Sequence, residues 1–171
     1  TSQITIDPSV TLESTTEYYV KIDATAFDDP FSNSYAGIND TTTLSFTTED
    51  IVGPSLSSST PADDATAVTE GSNIVLNFSE VVDLETGNIV IYKSSDDSVI
   101  ETIDVTSNQV TGSGTSQITI NPTNDFSTSS EYYIQIETTA FDDIAGNSYA
   151  GIVDSWAPVS YTHLRAHETD Y

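Results

Sequence analysis

The chain repeats itself, and no other feature constrains its fold as much. Residues 1–38 (TSQITIDPSVTLESTTEYYVKIDATAFDDPFSNSYAGI) align without a gap on residues 115–152 (TSQITINPTNDFSTSSEYYIQIETTAFDDIAGNSYAGI), and 22 of the 38 positions are identical. The offset is 114 residues. A period of that length is too long for one turn of a solenoid and matches whole domains in series. On this spacing, residues 1–50 are the C-terminal half of one domain. Residues 51–154 are a second domain of the same kind, expected to lack its native last strand.

Within each copy, apolar residues recur at every second position, the period of a half-buried strand. Ile74, Leu76 and Phe78 alternate in NIVLNFSE, Ile89 and Ile91 in GNIVIYK, and Ile103 and Val105 in ETIDVTS. Ile118 and Ile120 do the same in SQITINP, and Tyr132, Ile134 and Ile136 in EYYIQIE. Leu44 and Phe46 alternate in TTTLSFTT, which is the expected last strand of the first copy. Thr, Val, Ile and Tyr dominate these runs, as a pleated surface favours. Turn-forming strings separate them: TPADDA at 60–65, EGSN at 70–73, ETGN at 85–88, KSSDDS at 93–98 and GSG at 112–114. Short strands at this spacing, with no helical period, predict an all-β fold, a two-sheet antiparallel sandwich.

Composition narrows the partners. Twenty-seven acidic residues against three basic ones leave a formal net charge of -24. Nucleic acid and anionic membrane surfaces would repel such a chain. No apolar run reaches the roughly 20 residues of a bilayer span, so no direct membrane insertion is expected. Absence of Cys removes disulfides, thiolate metal sites and Cys nucleophiles.

Residues 155–171 stand apart. Up to Val159 the only basic residues are Lys21 and Lys93; then VSYTHLRAHET (159–169) brings Arg165, His163 and His167 together. All eleven residues resemble the translation of a transposon-type sequencing adapter. The tail is therefore read as an artefact, with native sequence expected to stop between Asp154 and Pro158. The two histidines, four apart, would share a helix face as a zinc site requires, but the HExxH order is absent. With both histidines set aside, no Ser–His–Asp or His-based acid–base arrangement remains. The acidic pairs lie among Ser, Thr and Gly, with no sign of the burial that raises a catalytic carboxyl pKa. No enzyme is expected.

Several strings together carry a family resemblance: STPADDATAV (59–68), NIVLNFSEVVD (73–83), NP ahead of EYYIQI (131–136), AFDDIAGNSYAG (140–151) and a closing strand ending SFTT (45–48). In combination they resemble the SbsA-type bacterial Ig-like domain, over residues 54–152 and again over 1–48. The resemblance implies an Ig-like sandwich repeated in tandem in large exported or cell-surface bacterial proteins. Among these are surface-layer proteins, adhesins and secreted enzymes, and the domain itself has no catalytic activity. It implies neighbouring repeats of the same chain as partners.

One constellation is a candidate binding site. The string AFDDIAGNSYAG, read as an acidic loop, offers Asp142, Asp143 and Asn147, and the first copy offers Asp28, Asp29 and Asn33. Closely spaced Asp and Asn can supply several of the six to eight oxygens calcium takes. Placed beside a domain end, they could meet Asp63 and Asp64 of a neighbouring unit and stiffen the junction. The same residues also suit an ordinary turn, since Asp and Asn bond to nearby backbone and Gly146 accepts a left-handed conformation. The tyrosine pairs Tyr18–Tyr19 and Tyr132–Tyr133 must each split between the two faces of a strand. The outward Tyr19 and Tyr133 are then available to a glycan or other surface ligand.

Overall fold

The computed structural model describes residues 3–153 together with Leu164 and Arg165. The remaining residues near the C-terminus, which hold Trp156, both histidines and most of the adapter-like string, lie outside the described residues. The chain divides into two compact units, Thr1–Val52 and Gly53–Tyr171. Every regular element among the described residues is a strand.

In the first unit, β1 (Glu17–Tyr19) pairs antiparallel with β2 (Ser45–Thr47), with Tyr18 opposite Phe46. Single bridges join Ile22 to Ile38 and Asp28 to Ser34.

The second unit is a two-sheet sandwich. One sheet is built on β4 (Ile74–Leu84), which has β8 (Thr115–Ile120) along one edge and β7 (Val110–Thr111) beyond it. Along its other edge β4 is shared by two short strands. Its first half pairs with β3 (Leu56–Thr60) and its last residues, Val82–Leu84, with β10 (Phe141–Asp143). The second sheet runs β11 (Leu164–Arg165), β9 (Glu131–Ile136), β5 (Asn88–Lys93), β6 (Ser98–Asp104), all antiparallel. The alternation read from the sequence sorts the side chains. Ile74, Leu76, Phe78, Ile118 and Ile120 from one sheet meet Ile89, Ile91, Ile103, Ile134 and Ile136 from the other in a single core. Phe78 stands edge-on to Phe141 and Tyr149, at centroid distances of 5.3 and 5.2 Å, and closes one end of it.

One sequence expectation changes here. The acidic string is not a loop throughout. Its first residues form β10, because Phe141 is fully buried and its backbone pairs with Leu84. The edge of β9 is paired: Leu164 lies opposite Tyr132 and Arg165 opposite Glu131. At the repeat spacing, the equivalent of Phe46 is Ser160, four positions before Leu164. The core of this unit is closed as well. Tyr132, Ile134 and Ile136 are buried because the opposite sheet covers the inner face of β9, and a last strand adds only to its edge.

Candidate functional site

Among the described residues, Asp143 is the one buried charged residue, 5% exposed at the end of β10. Its carboxylate is spoken for locally. Asn147 donates its backbone N–H to Oδ1 and its side-chain Nδ2 to Oδ2, both at 2.8 Å. The Asp143 N–H donates in turn to the Asn147 carbonyl at 3.0 Å. Burial pushes the Asp143 pKa up, but the bonds from Asn147 and from the Ala145 and Gly146 amides outweigh it and hold the carboxyl below its ordinary value. The group is an anion locked into a tight turn, with Gly146 in the left-handed region (φ 88°) where a side chain would be strained.

The first unit builds the same clasp. Asp29 accepts from the Asn33 backbone and side chain, each at 2.8 Å, and from the Phe31 N–H. The Asn33 bonds lower its pKa most. Other bonds recur at the 114-residue spacing. The Tyr35 N–H reaches the Phe27 carbonyl and the Tyr149 N–H the Phe141 carbonyl, both at 2.8 Å. The Tyr18 hydroxyl accepts from the Glu13 N–H at 3.0 Å, and the Tyr132 hydroxyl from the Ser127 N–H at 2.9 Å.

The candidate ligands therefore divide. Asp143 and Asn147 are together, and so are Asp29 and Asn33, but as partners of one another. Asp28 and Asp142 bridge to Ser34 and Ser148. Asp142 lies across from Asp83 on β4, a like-charge pair that costs stability. Sequence spacing missed Glu80, a carboxylate oxygen of which lies within 4.8 Å of one from Asp143. It sits in a bulge of β4, where the register with β8 shifts between Asn77 and Val82. A bulge has no signature in the alternation pattern, so only the pairing reveals it. Asp63 and Asp64 follow β3 beside the start of β4, whereas β10 pairs with its end. The two acidic groups thus belong to opposite ends of that strand.

The outer face of the β9–β5–β6 sheet carries a second group. Tyr92 and Tyr133, directly opposite each other, stack at 4.9 Å with planes 8° apart, and the Tyr133 hydroxyl donates to Asp97 at 3.1 Å. Val99 and Ile100 of β6 are exposed nearby in the same sheet. Tyr19, the counterpart of Tyr133, is also exposed.

No curated protein sequence matches the chain. A family model, that of the bacterial Ig-like domain, matches residues 50–162. Domains of this kind typically occur in bacterial surface or extracellular proteins, and the all-β antiparallel architecture agrees with the match. Two-thirds of the sequence falls inside it, and the chain belongs to the bacterial Ig-like domain family.

Proposed function

We propose that the chain is a non-catalytic spacer: tandem SbsA-type Ig-like units of an extracellular or cell-surface bacterial protein, which hold other domains away from the cell. The observation that carries this is the recurrence of one closing motif at the 114-residue spacing: the Asp–Asn clasp, the Phe–Tyr backbone bond and the capped tyrosine. A stalk needs the same end built in each unit. Its mechanism is mechanical. Each sandwich resists extension through its buried core, and acidic surfaces keep neighbouring stalks soluble and apart. The test is X-ray scattering on chains of one, two and three complete units. A spacer gains an equal increment of maximum dimension per unit. A compact globule that grows as the cube root of mass would refute it.

Calcium is the finer part of the proposal. Asp142, Asp143 and Asn147, with Glu80 close by, and Asp28, Asp29 and Asn33 in the first unit, are the oxygen donors. An ion there must exchange the Asn bonds on the carboxylate for its own coordination. Opposite placement of Asp63–Asp64 and Asp142–Asp143 along β4 suits a junction site formed end to end. Melting with EDTA and with millimolar calcium tests it: a rise of several degrees that Asp142→Asn and Asp143→Asn abolish is expected, and identical melts would remove calcium from the account.

The stacked Tyr92–Tyr133 pair favours a second reading, an adhesion module or an accessory domain of a secreted polysaccharide-degrading enzyme. Tyrosine rings anchored by Asp97 present an amphipathic surface on which a sugar can pack. Glycan binding lost on Tyr133→Ala, in a protein that still melts cooperatively, would favour that reading over the plain spacer.

A further inference from the structure

We infer that Tyr92 and Tyr133 form an oxidative crosslinking site, at which a one-electron oxidant, such as a peroxidase supplied with hydrogen peroxide, joins β5 to β9 through a dityrosine bond. Composition points first to phenols. The chain holds no Cys and no Met, the side chains that ordinarily intercept peroxide first, but nine Tyr. Oxidation therefore falls on aromatic rings. With no Cys, the chain also has no disulfide to tie its strands together.

Geometry selects one pair. Tyr92 and Tyr133 lie directly opposite each other on adjacent antiparallel strands, their ring centroids 4.9 Å apart and their planes 8° from parallel. The flanking pairs in the same register are Ile91 with Ile134 and Lys93 with Tyr132. Ile91, Ile134 and Tyr132 are buried, so the core fixes both backbones and the two rings meet without a search. Both rings are half-buried on the outer face of the sheet, where an oxidant reaches them. Tyr18, Tyr35, Tyr132 and Tyr149 instead meet Phe rings, which form no phenoxyl radical.

A proton acceptor is in place as well. The Tyr133 hydroxyl donates to Asp97 Oδ1 at 3.1 Å. A phenol gives up an electron more readily when its proton can move at once to a hydrogen-bonded carboxylate. Each ring loses one electron to the oxidant and one phenolic proton, from Tyr133 to Asp97 and from Tyr92 to water. The two phenoxyl radicals then form a carbon–carbon bond between ring positions ortho to the oxygens. The hydrogens on those carbons return to the oxygens by exchange with water, which restores both aromatic rings. Peroxide takes up the two electrons and two protons and leaves as two waters. Rotation about χ2, which is soft in Tyr, lets the joined rings turn from stacked to edge-joined. The bond ties the two central strands of the second sheet and closes a loop between positions 41 apart in the chain.

The test treats the full chain, in dilute solution, with a haem peroxidase and hydrogen peroxide, and reads the products by intact mass, dityrosine fluorescence and peptide mapping. The expected product is a monomer lighter by two hydrogens, in which the peptide holding Tyr92 is joined to the one holding Tyr133. Its rate of formation should not change on dilution. The melting temperature of the product should rise by at least about 5 °C, because its unfolded chain is closed into a loop. Tyr92→Phe and Tyr133→Phe, which keep the ring and its packing, should each abolish the bond. Asp97→Asn should slow its formation at least about tenfold while near-UV dichroism shows the rings still stacked. The proposal is overturned if the monomer takes up oxygen at these rings without joining them, or if coupling joins only separate chains through exposed tyrosines such as Tyr19. It is also overturned if either Phe variant, melting as cooperatively as the wild type, still forms the intramolecular bond. Crosslinking is read as a covalent mass and the spacer role as a scattering increment, so either idea can fall while the other stands.

Discussion

Asp143 concentrates the chemistry of the closing turn in one side chain. Asp143→Asn keeps the size but replaces one acceptor oxygen with an NH2 that faces the donors of Asn147. Loss of a charge-assisted bond of this kind costs about 1–3 kcal/mol. The pH dependence has a definite sign. The folded carboxyl lies below its ordinary value of 3.8, so its contribution is complete above that pH. It is lost as pH falls through the lower folded value. Denaturant melts of wild type and Asp143→Asn should therefore differ most near neutrality and converge in strong acid. A gap that stays constant with pH would mean the ionised carboxylate is not what matters. Gly151 makes a second point: its φ is 74°, and an added Cβ would press on the Ile136 carbonyl. Gly151→Ala should destabilise by at least about 1 kcal/mol in the same melts. How much of this was legible is specific. The Asp–x3–Asn spacing was plain in both copies. That the two residues turn toward each other was not, because a spacing that suits shared coordination of an ion suits mutual hydrogen bonding equally well.

At the level of the strand, alternation was the strongest guide. Ile74, Leu76 and Phe78 point inward as their two-residue period requires, and the turn strings fall between strands. What alternation could not supply is partnership. β3 reads as Leu-Ser-Ser-Ser-Thr, with too few apolar residues to announce a strand, and it exists because the edge of β4 offers unpaired backbone groups. β10 is only three residues long and lies inside a string whose Asp residues suggest a loop. Equivalent strand positions in the two units also give a direct comparison. Ile120→Ala removes a fully buried side chain and should cost about 2–5 kcal/mol. Ile6→Ala, at the matching position, removes an exposed one and should stay within about 0.5 kcal/mol. Equal losses would show that Ile6 is covered in solution.

For the molecule as a whole, charge exerts an influence that no single contact describes. A net -24 on 171 residues is carried by acids in both units, among them Asp29, Asp40, Asp96, Asp104 and Asp143, each held below its ordinary pKa chiefly by hydrogen bonds from nearby side chains and backbone. These groups stay ionised below the ordinary carboxyl value, so part of the self-repulsion persists there. Moderate monovalent salt should raise the melting temperature by screening it. A melt indifferent to salt would mean that local bonds, rather than long-range repulsion, set the stability. The matching Phe27–Tyr35 and Phe141–Tyr149 pairs have one more consequence, and it concerns inheritance. Each pair is fixed within its own short stretch, by the Tyr35 N–H on the Phe27 carbonyl and the Tyr149 N–H on the Phe141 carbonyl. A gene encoding such repeats can thus be cut at the Gly112–Gly114 turn and rejoined to the front half of a different copy. Recombination at that seam would lengthen, shorten or reassort the protein while leaving every closing turn intact.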